Sequence, residues 1–243
     1  MKRLVLFVFT LMCLEVGAQK IVNLVFVGDK GVTENVKEAK FFIVVKQFET
    51  KLQRLDYKMS GPLIKESNYL DSNLKILDGA YYEYAFDGSL SKAGKYTNNL
   101  REGEWKDYND TGKVTLIQTY LNNVLIKTTD PDTIPKKEIS QEKKAGEKEA
   151  EFGKKDKGWK SYLENNLIAD VGLQSVKGGT VKIAFIVDTL GKCVEIYVRK
   201  SVEFVLDEEV KRIIASSPPW NSAEQDGKKV KAYRIQPITF VKQ

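Results

Sequence analysis

The sequence of 243 residues has no histidine and only two cysteines. The absence of histidine excludes histidine-dependent catalytic triads and removes the commonest zinc ligand. Cys13 lies in an N-terminal segment that we expect to be removed, so Cys193 would remain alone and an internal disulfide is excluded. Because a reactive thiolate needs a neighbouring base, we expect Cys193 to pack within a strand. The sequence therefore predicts no enzyme, no cofactor and no metal site.

Long apolar runs are also scarce, and the only one lies at the N-terminus. The apolar residues 4–14 follow two basic residues and precede small residues at 16–18, which is typical of a cleaved secretory signal spanning residues 1–18. The run is too short to cross a bilayer. Lipidation at Cys13 is disfavoured because Met12 stands where a small residue is expected. We predict export to the periplasm, with an inner-membrane anchor as the alternative if the signal is retained.

The net charge is +6 and the isoelectric point is about 9.0. These charges are dispersed in mixtures of lysine and glutamate rather than gathered in one basic patch. An exported protein rarely meets nucleic acid, so we expect no nucleic-acid partner. An anionic envelope surface is the better candidate for a basic face.

Residues 19–129 have the pattern of a β-rich module. Short β-branched runs at residues 21–27 and 41–45 predict opening strands, and two units of 24 residues then repeat. The matched pairs are Gly79 and Gly103, Tyr84 and Tyr108, Gly88 and Gly112, Tyr96 and Tyr120, and Asn98-Asn99 and Asn122-Asn123. Turns between alternating aromatic residues predict hairpins.

These repeats, over about residues 77–125, resemble MORN-like repeats, with a decayed copy upstream around residues 57–74. The resemblance implies an antiparallel β meander of stacked hairpins. Its aromatic residues are expected to pack across strands rather than to bind a ligand. An open sheet of this kind leaves edges that suit protein contacts.

Residues 130–157 contain two prolines near their start, are then rich in lysine and glutamate, and have almost no apolar residues. This composition predicts a charged flexible linker between two domains.

The last domain, residues 158–243, has an α+β pattern. Trp159, Tyr162, Leu163 and Leu167 form the stripe of a short helix, and residues 179–188 alternate as a strand. A hairpin follows at Gly191, and then a helix over residues 205–214 that Pro218 and Pro219 terminate. Residues 230–241 predict a final edge strand with a bulge near Pro237, because proline cannot donate to a ladder.

Seven short motifs in this domain occur in an order that resembles the TonB C-terminal domain. They are Gly179-Thr180-Val181, Val187-Asp188, Gly191-Lys192, Leu206-Asp207-Glu208-Glu209, Ser217-Pro218-Pro219-Trp220, Gly227-Lys228 and Pro237-Ile238-Thr239-Phe240. The resemblance implies a three-stranded sheet packed by two helices, and no catalysis. It also implies that the last strand receives an extended peptide from an outer-membrane TonB-dependent transporter or another envelope protein.

Carried onto this chain, the peptide-binding edge strand comprises Val230, Lys231, Ala232, Tyr233, Arg234, Ile235 and Gln236. A second contact segment comprises Leu167, Ile168 and Ala169, where the family often has Tyr-Pro. The acidic run Asp207-Glu208-Glu209 resembles paired carboxylates, but we interpret it as charge that favours a helix N-terminus.

The chain departs from an energising TonB, which keeps a membrane helix with a functional histidine and a proline-rich spacer. We therefore expect an adaptor more than a motor. The alternative is a scaffold in which the MORN-like sheet binds a protein or lipid surface of the envelope, and the terminal domain serves only as a dimerisation or cell-wall module. A homodimer stays open, and an enzyme is disfavoured.

Overall fold

The computed structural model of the protein describes residues 20–133, 147–153, 156–168, 171 and 174–241. The predicted signal at residues 1–18 and most of the predicted linker lie outside these ranges. No helix within them is long and apolar enough to cross a membrane.

Ten strands of the described N-terminal region form one antiparallel sheet in the order β10-β9-β8-β7-β6-β5-β4-β3-β1-β2. From β3 onward each strand pairs with the next strand of the sequence, as the hairpin prediction required. The strands are β1 (Lys20–Gly28), β2 (Gly31–Thr33), β3 (Phe41–Phe48), β4 (Lys51–Lys58), β5 (Leu63–Tyr69), β6 (Leu77–Tyr84), β7 (Leu90–Thr97), β8 (Leu100–Tyr108), β9 (Val114–Leu121) and β10 (Val124–Thr129).

The 24-residue period of the sequence recurs in the turns of this meander. The pairs Asn98-Asn99 and Asn122-Asn123 both have positive φ, between 49° and 69°, and connect β7 to β8 and β9 to β10. Gly88 and Gly112 turn the chain at the other end of the strands. The meander therefore fits loosely the hairpin stack expected from the repeats, and it extends upstream to residue 20.

The C-terminal region contains a three-stranded sheet in the order β12-β11-β15, a short hairpin and two helices. This arrangement confirms the predicted α+β fold. The elements are α1 (Asp156–Asn166), β11 (Gly179–Val187), β12 (Cys193–Lys200), α2 (Phe204–Ala215), β13 (Ala223–Gln225), β14 (Lys228–Val230) and β15 (Ala232–Phe240). The side chains of Val181, Ile183, Phe185 and Val187 alternate into the core below the helices.

The two regions share one hydrophobic core. Tyr57, Leu63 and Leu90 of the meander belong to the same buried cluster as Leu206 of α2 and Val198 of β12. Single-sequence periodicity carries no information on which distant faces meet, so separate domains were the natural expectation.

The linker expectation does not hold for residues 147–153. Lys148 and Glu151 form bridges with Glu224 and Asn221, and Ala150 is completely buried. The ring of Phe152 packs edge-on against Trp159 and Trp220. A lysine- and glutamate-rich segment is thus ordered here because alternate residues bury an alanine and a phenylalanine.

Candidate functional site: the free edge of the C-terminal sheet

Strand β15 is the predicted receiving strand, and it lies at an edge of its sheet. It pairs with β11 over nine consecutive residue pairs, from Ala232 opposite Val187 to Phe240 opposite Gly179. Among the described residues no strand pairs with its other side. The register is continuous, so the bulge expected near Pro237 does not occur. The alternation instead runs unbroken, and Ile238 falls on the buried face.

Pro237 reveals which backbone groups face the free side. A proline has no N–H to donate, so within a sheet it occurs where the backbone nitrogen points away from a partner strand. N–H and C=O groups alternate in direction along a strand, so Tyr233 and Ile235 share the orientation of Pro237. Their donors and acceptors therefore point toward the side on which another strand can add.

The side chains along this edge are mostly accessible. Tyr233 and Ile235 are 50% and 45% exposed and lie on the face of the sheet opposite the helices. Arg234 points to the other face, where its guanidinium lies 2.9 Å from a carboxylate oxygen of Glu149. The edge thus presents an apolar and aromatic stripe beside unpaired backbone groups.

The structure divides the predicted strand Val230 to Gln236. Val230 ends β14 and pairs with Ala223, and Lys231 lies between the two strands. The two-residue shift arises because the turn at Asp226 and Gly227, both with positive φ, closes a separate short hairpin. The predicted receiving strand, as β15, therefore begins at Ala232.

The second predicted segment lies against α2. The Ile168 N–H donates to the Glu209 carboxylate at 2.8 Å, and Leu167 packs in the core. Ala169 lies outside the described residues. Among the described residues no hydrogen bond joins this segment to β15, so the two predicted parts are not brought together by direct polar contact.

The meander contacts the C-terminal end of β12, the other outer strand of this sheet. The Arg199 guanidinium donates to the carbonyl of Gly112, and Lys200 forms an isolated bridge with Ser89. Just beyond β12, Ser201 N–H donates to the carbonyl of Gly88 at 2.9 Å, and Leu63 N–H donates to Ser201 Oγ at 2.8 Å. The meander therefore holds the end of β12, whereas no strand of the described residues pairs with the outer side of β15.

Sequence reasoning missed a buried charged cluster in this contact. The Lys46 ammonium pairs with Glu208, and the Lys211 ammonium lies 3.1 Å from Glu66 and 3.7 Å from Glu208. Burial lowers the pKa of Lys46. Burial also acts to raise the pKa of Glu208, but the two ammonium groups outweigh it and hold that pKa below its ordinary value. Two lysines from different regions thus compensate two carboxylates.

Asp207 is the most deeply buried of the acidic run. It accepts hydrogen bonds from Tyr57 Oη and Val202 N–H, both at 3.1 Å, and from the Ser201 hydroxyl. Burial raises its pKa from 3.8 to about 7, although the hydrogen bonds of Ser201 and Val202 oppose the rise. Asp207 lies in the first turn of α2, as the interpretation of residues 207–209 expected, but that interpretation is incomplete. Asp207 and Glu208 also bind Tyr57 and Lys46 of the meander, whereas Glu209 pairs with Arg212 of its own helix.

Tyrosines from both regions surround a groove of about 290 Å³ between the meander and the C-terminal sheet. The Tyr82 and Tyr197 rings stack at 4.8 Å, and Tyr197 Oη lies 3.0 Å from Tyr233 Oη. The groove therefore continues to the face of β15 that carries Tyr233. Burial raises the pKa of Tyr108, another lining residue, so this phenol stays protonated.

Cys193 is half-buried, with its Sγ 3.6 Å from the Ser217 hydroxyl. Burial raises its pKa to about 11, so the thiol is a poor nucleophile. Within the described ranges, no cluster of acidic or cysteine side chains is arranged to hold a metal ion.

Comparison with known families gives a match over the region just described. Residues 174–241 match the family described as Gram-negative bacterial TonB protein C-terminal. This confirms the resemblance for the last domain, and the match does not extend into the meander. No curated protein and no solved structure matches the chain. Residues 174–241 are thus similar to the C-terminal domain of Gram-negative TonB proteins.

Proposed function

We propose that this protein is an exported envelope protein that binds an extended peptide of an outer-membrane TonB-dependent transporter by strand addition to β15. The observation that supports it is the free edge of β15, which offers backbone groups beside exposed Tyr233 and Ile235. Main-chain hydrogen bonds would give affinity, and alternate side chains of the peptide would pack on the two faces of the sheet.

The proposed location is the periplasm, reached through a signal cleaved after residue 18. We propose an adaptor role within TonB-dependent transport rather than energy coupling by the chain alone. The meander contacts the end of β12 and contributes the tyrosine groove beside the docking edge. Recognition would therefore involve both regions.

The test uses Ile235→Pro, since Ile235 shares the outward orientation of Pro237. This change removes one outward N–H and should leave the ladder to β11 intact. The probe is a synthetic peptide of the periplasm-facing box of a transporter from the same bacterium. We expect binding, measured by calorimetry, to weaken at least tenfold, because a strand added at this edge loses a main-chain donor.

Ile235→Thr is the matched control, because it keeps the N–H and a β-branched side chain. It should bind within a few-fold of the native chain, and circular dichroism should show that both variants fold. Equal affinity for Ile235→Pro and the native protein would rule out strand addition at β15.

A second candidate is a scaffold without a role in energy transduction, in which the meander binds an envelope component. The exposed apolar residues of its outer strands favour it, with Ile21 and Leu24 on β1 as examples. Ile21→Lys with Leu24→Lys should then abolish recovery of the protein with isolated cell envelopes. Under the first proposal this double variant keeps its peptide affinity.

A further inference from the structure

Tyr82 of β6 connects the meander with the open face of the C-terminal sheet, the face opposite its helices. Its ring stacks on that of Tyr197 in β12, with the ring centres 4.8 Å apart and the planes inclined by 10°. The Tyr197 hydroxyl in turn lies 3.0 Å from the hydroxyl of Tyr233 in β15. Burial raises the pKa of Tyr82 and of Tyr197, so both phenols stay protonated. A chain of three tyrosines therefore leads from the meander to the proposed docking edge.

The contact between the two hydroxyls fixes where the Tyr233 side chain lies. β11 separates β12 from β15, so side chains of the two outer strands that meet must both extend across β11. Ala184 of β11 pairs with Tyr197 on one side and with Ile235 on the other. Ala184 lies on the open face, and yet it is completely buried. The rings of Tyr197 and Tyr233 therefore lie over β11, and Tyr233 is directed away from the free edge of β15.

The position of the Tyr233 ring matters for an extended peptide, which must lie along this edge. Tyr233 is half exposed, so a ring released from Tyr197 can rotate to another staggered position. A ring turned toward the edge would lie where the side chains of an added strand pack. A ring held over β11 leaves that space free and needs no ordering when the peptide binds.

We propose that Tyr82 is a positioning residue for the docking edge: through Tyr197 it holds Tyr233 over β11 and keeps the space beside β15 open for the peptide. This role rests on the function proposed above. Tyr197 and Tyr233 lie within the residues that match the TonB family, whereas Tyr82 lies outside them. The meander thus prepares a site to which it contributes no strand.

The test measures the affinity of the full chain for the synthetic transporter peptide by calorimetry. Tyr82→Leu keeps an apolar side chain but removes the ring that stacks on Tyr197. We expect the dissociation constant to rise about three- to tenfold, because the Tyr233 side chain must then be ordered when the peptide binds.

Tyr81→Leu is the matched control. Tyr81 precedes Tyr82 in the same strand and lies on the other face, where its ring packs against Tyr96 and Trp105. The chemical change is identical, and an aromatic contact is lost from the same strand. This variant should bind the peptide like the native chain.

Tyr233→Ala separates positioning from a general effect on the fold. Without the Tyr233 ring, Tyr82→Leu has nothing to position, so adding it should change the affinity of Tyr233→Ala by less than about twofold. Equal fold losses in the native and the Tyr233→Ala backgrounds would overturn the proposal. A Tyr82→Leu variant that binds like the native chain would overturn it as well.

Tyr197→Phe is a second variant in case Tyr82→Leu does not fold. It keeps the stack on Tyr82 and removes only the hydroxyl that meets Tyr233. The dissociation constant should rise by a similar factor in the native background and not in the Tyr233→Ala background. Unchanged affinity in the native background would contradict the positioning role.

Ile235→Pro, measured alongside, distinguishes the two proposals. If the native chain binds the peptide and Ile235→Pro binds it weakly, strand addition stands and the tyrosine variants alone decide the positioning role. If the native chain does not bind the peptide, or Ile235→Pro binds it equally well, the proposed function fails and the positioning role fails with it.

Discussion

The two edges of the C-terminal sheet differ in what surrounds them. Three turns of the meander contact the end of β12 and the residues that follow it, and ion pairs between the meander and α2 bury charged groups. β15 has no strand on its outer side among the described residues and makes one exposed ion pair, Arg234 with Glu149. The difference indicates that the meander anchors one side of the C-terminal region and leaves the edge of β15 accessible.

The largest expected effect comes from breaking the charged cluster on the covered side. Lys211→Met leaves Glu66 and Glu208 without one of their two ammonium groups, and Glu66 is almost fully buried. Removing one partner of a buried ion pair costs about 3–5 kcal/mol. We expect urea unfolding to show a loss of that size, in one transition because the two regions share a core.

The double variant Glu66→Gln with Lys211→Met is the control. It removes a buried carboxylate together with its partner, and it should recover part of the loss. A single variant as stable as the native chain would mean that the cluster does not join the two regions.

Asp207 gives the covered side a pH dependence. Its pKa is about 7 in the folded protein and about 3.8 when it is exposed, so the folded state keeps a proton that the unfolded state has lost. The contribution of Asp207 to the free energy of unfolding is therefore complete below about pH 4. It is lost as the pH rises through 7, and the free energy of unfolding falls by at most about 1.4 kcal/mol per pH unit.

Asp207→Asn cannot titrate, so its stability should change less over this interval. Urea unfolding at pH 4.5, 6 and 7.5 measures the difference between the two proteins. A native protein whose stability rises over the same interval more than that of the variant would contradict the assignment.

Gly88 is expected to have a smaller effect. Its φ is +87°, and a Cβ there would lie 2.4 Å from the carbonyl oxygen of Ser201. Gly88→Ala should therefore destabilise the protein by about 2–3 kcal/mol, from backbone strain together with displacement of the C-terminal region. Gly112, its copy in the repeat, has a similar φ but meets only the flexible Arg199 side chain. Gly112→Ala should lose about 1 kcal/mol, and equal losses would show that the close approach at Gly88 is unimportant.

The smallest effect should come from the free side. Tyr233→Phe removes a hydroxyl that is shared with Tyr197 on an accessible face, so we expect a loss below about 1 kcal/mol. Tyr57→Phe removes the hydroxyl that donates to fully buried Asp207, and this variant should lose about 1–3 kcal/mol of stability. Thermal unfolding of the two variants compares the same chemical change at the buried contact between the meander and α2 and at the accessible side of the sheet, and a reversed order would contradict the comparison.

Local patterns predicted most of this fold. The 24-residue period placed the hairpins because each strand of the meander pairs with its neighbour in sequence. The motif order predicted the C-terminal sheet, and the stripe of Trp159, Tyr162 and Leu163 predicted α1. The free edge was anticipated from Pro237, although the receiving strand begins two residues later than expected.

The contact between the two regions could not be predicted in the same way. Tyr57 and Asp207 are separated by 150 residues. Locally, Tyr57 is explained as an aromatic residue of a strand, and Asp207 is explained as an acidic residue near the N-terminus of a helix. Only the packing of the meander on α2 shows that one binds the other. Lys46 and Glu66 likewise have no local signal that distinguishes them from the many other charged residues, because their partners lie far away in the sequence.

The separation of Tyr57 from Asp207 has a consequence for folding. Short loops join strands β3 to β10, so the meander can form as soon as these strands have been synthesised. Helix α2, which packs on the meander, comes later in the chain. Until then the face around Val44, Leu55 and Leu63 lacks its cover, and Lys46 and Glu66 lack their counter-charges. The chain therefore passes through a stage in which this face of the sheet is exposed and prone to aggregate.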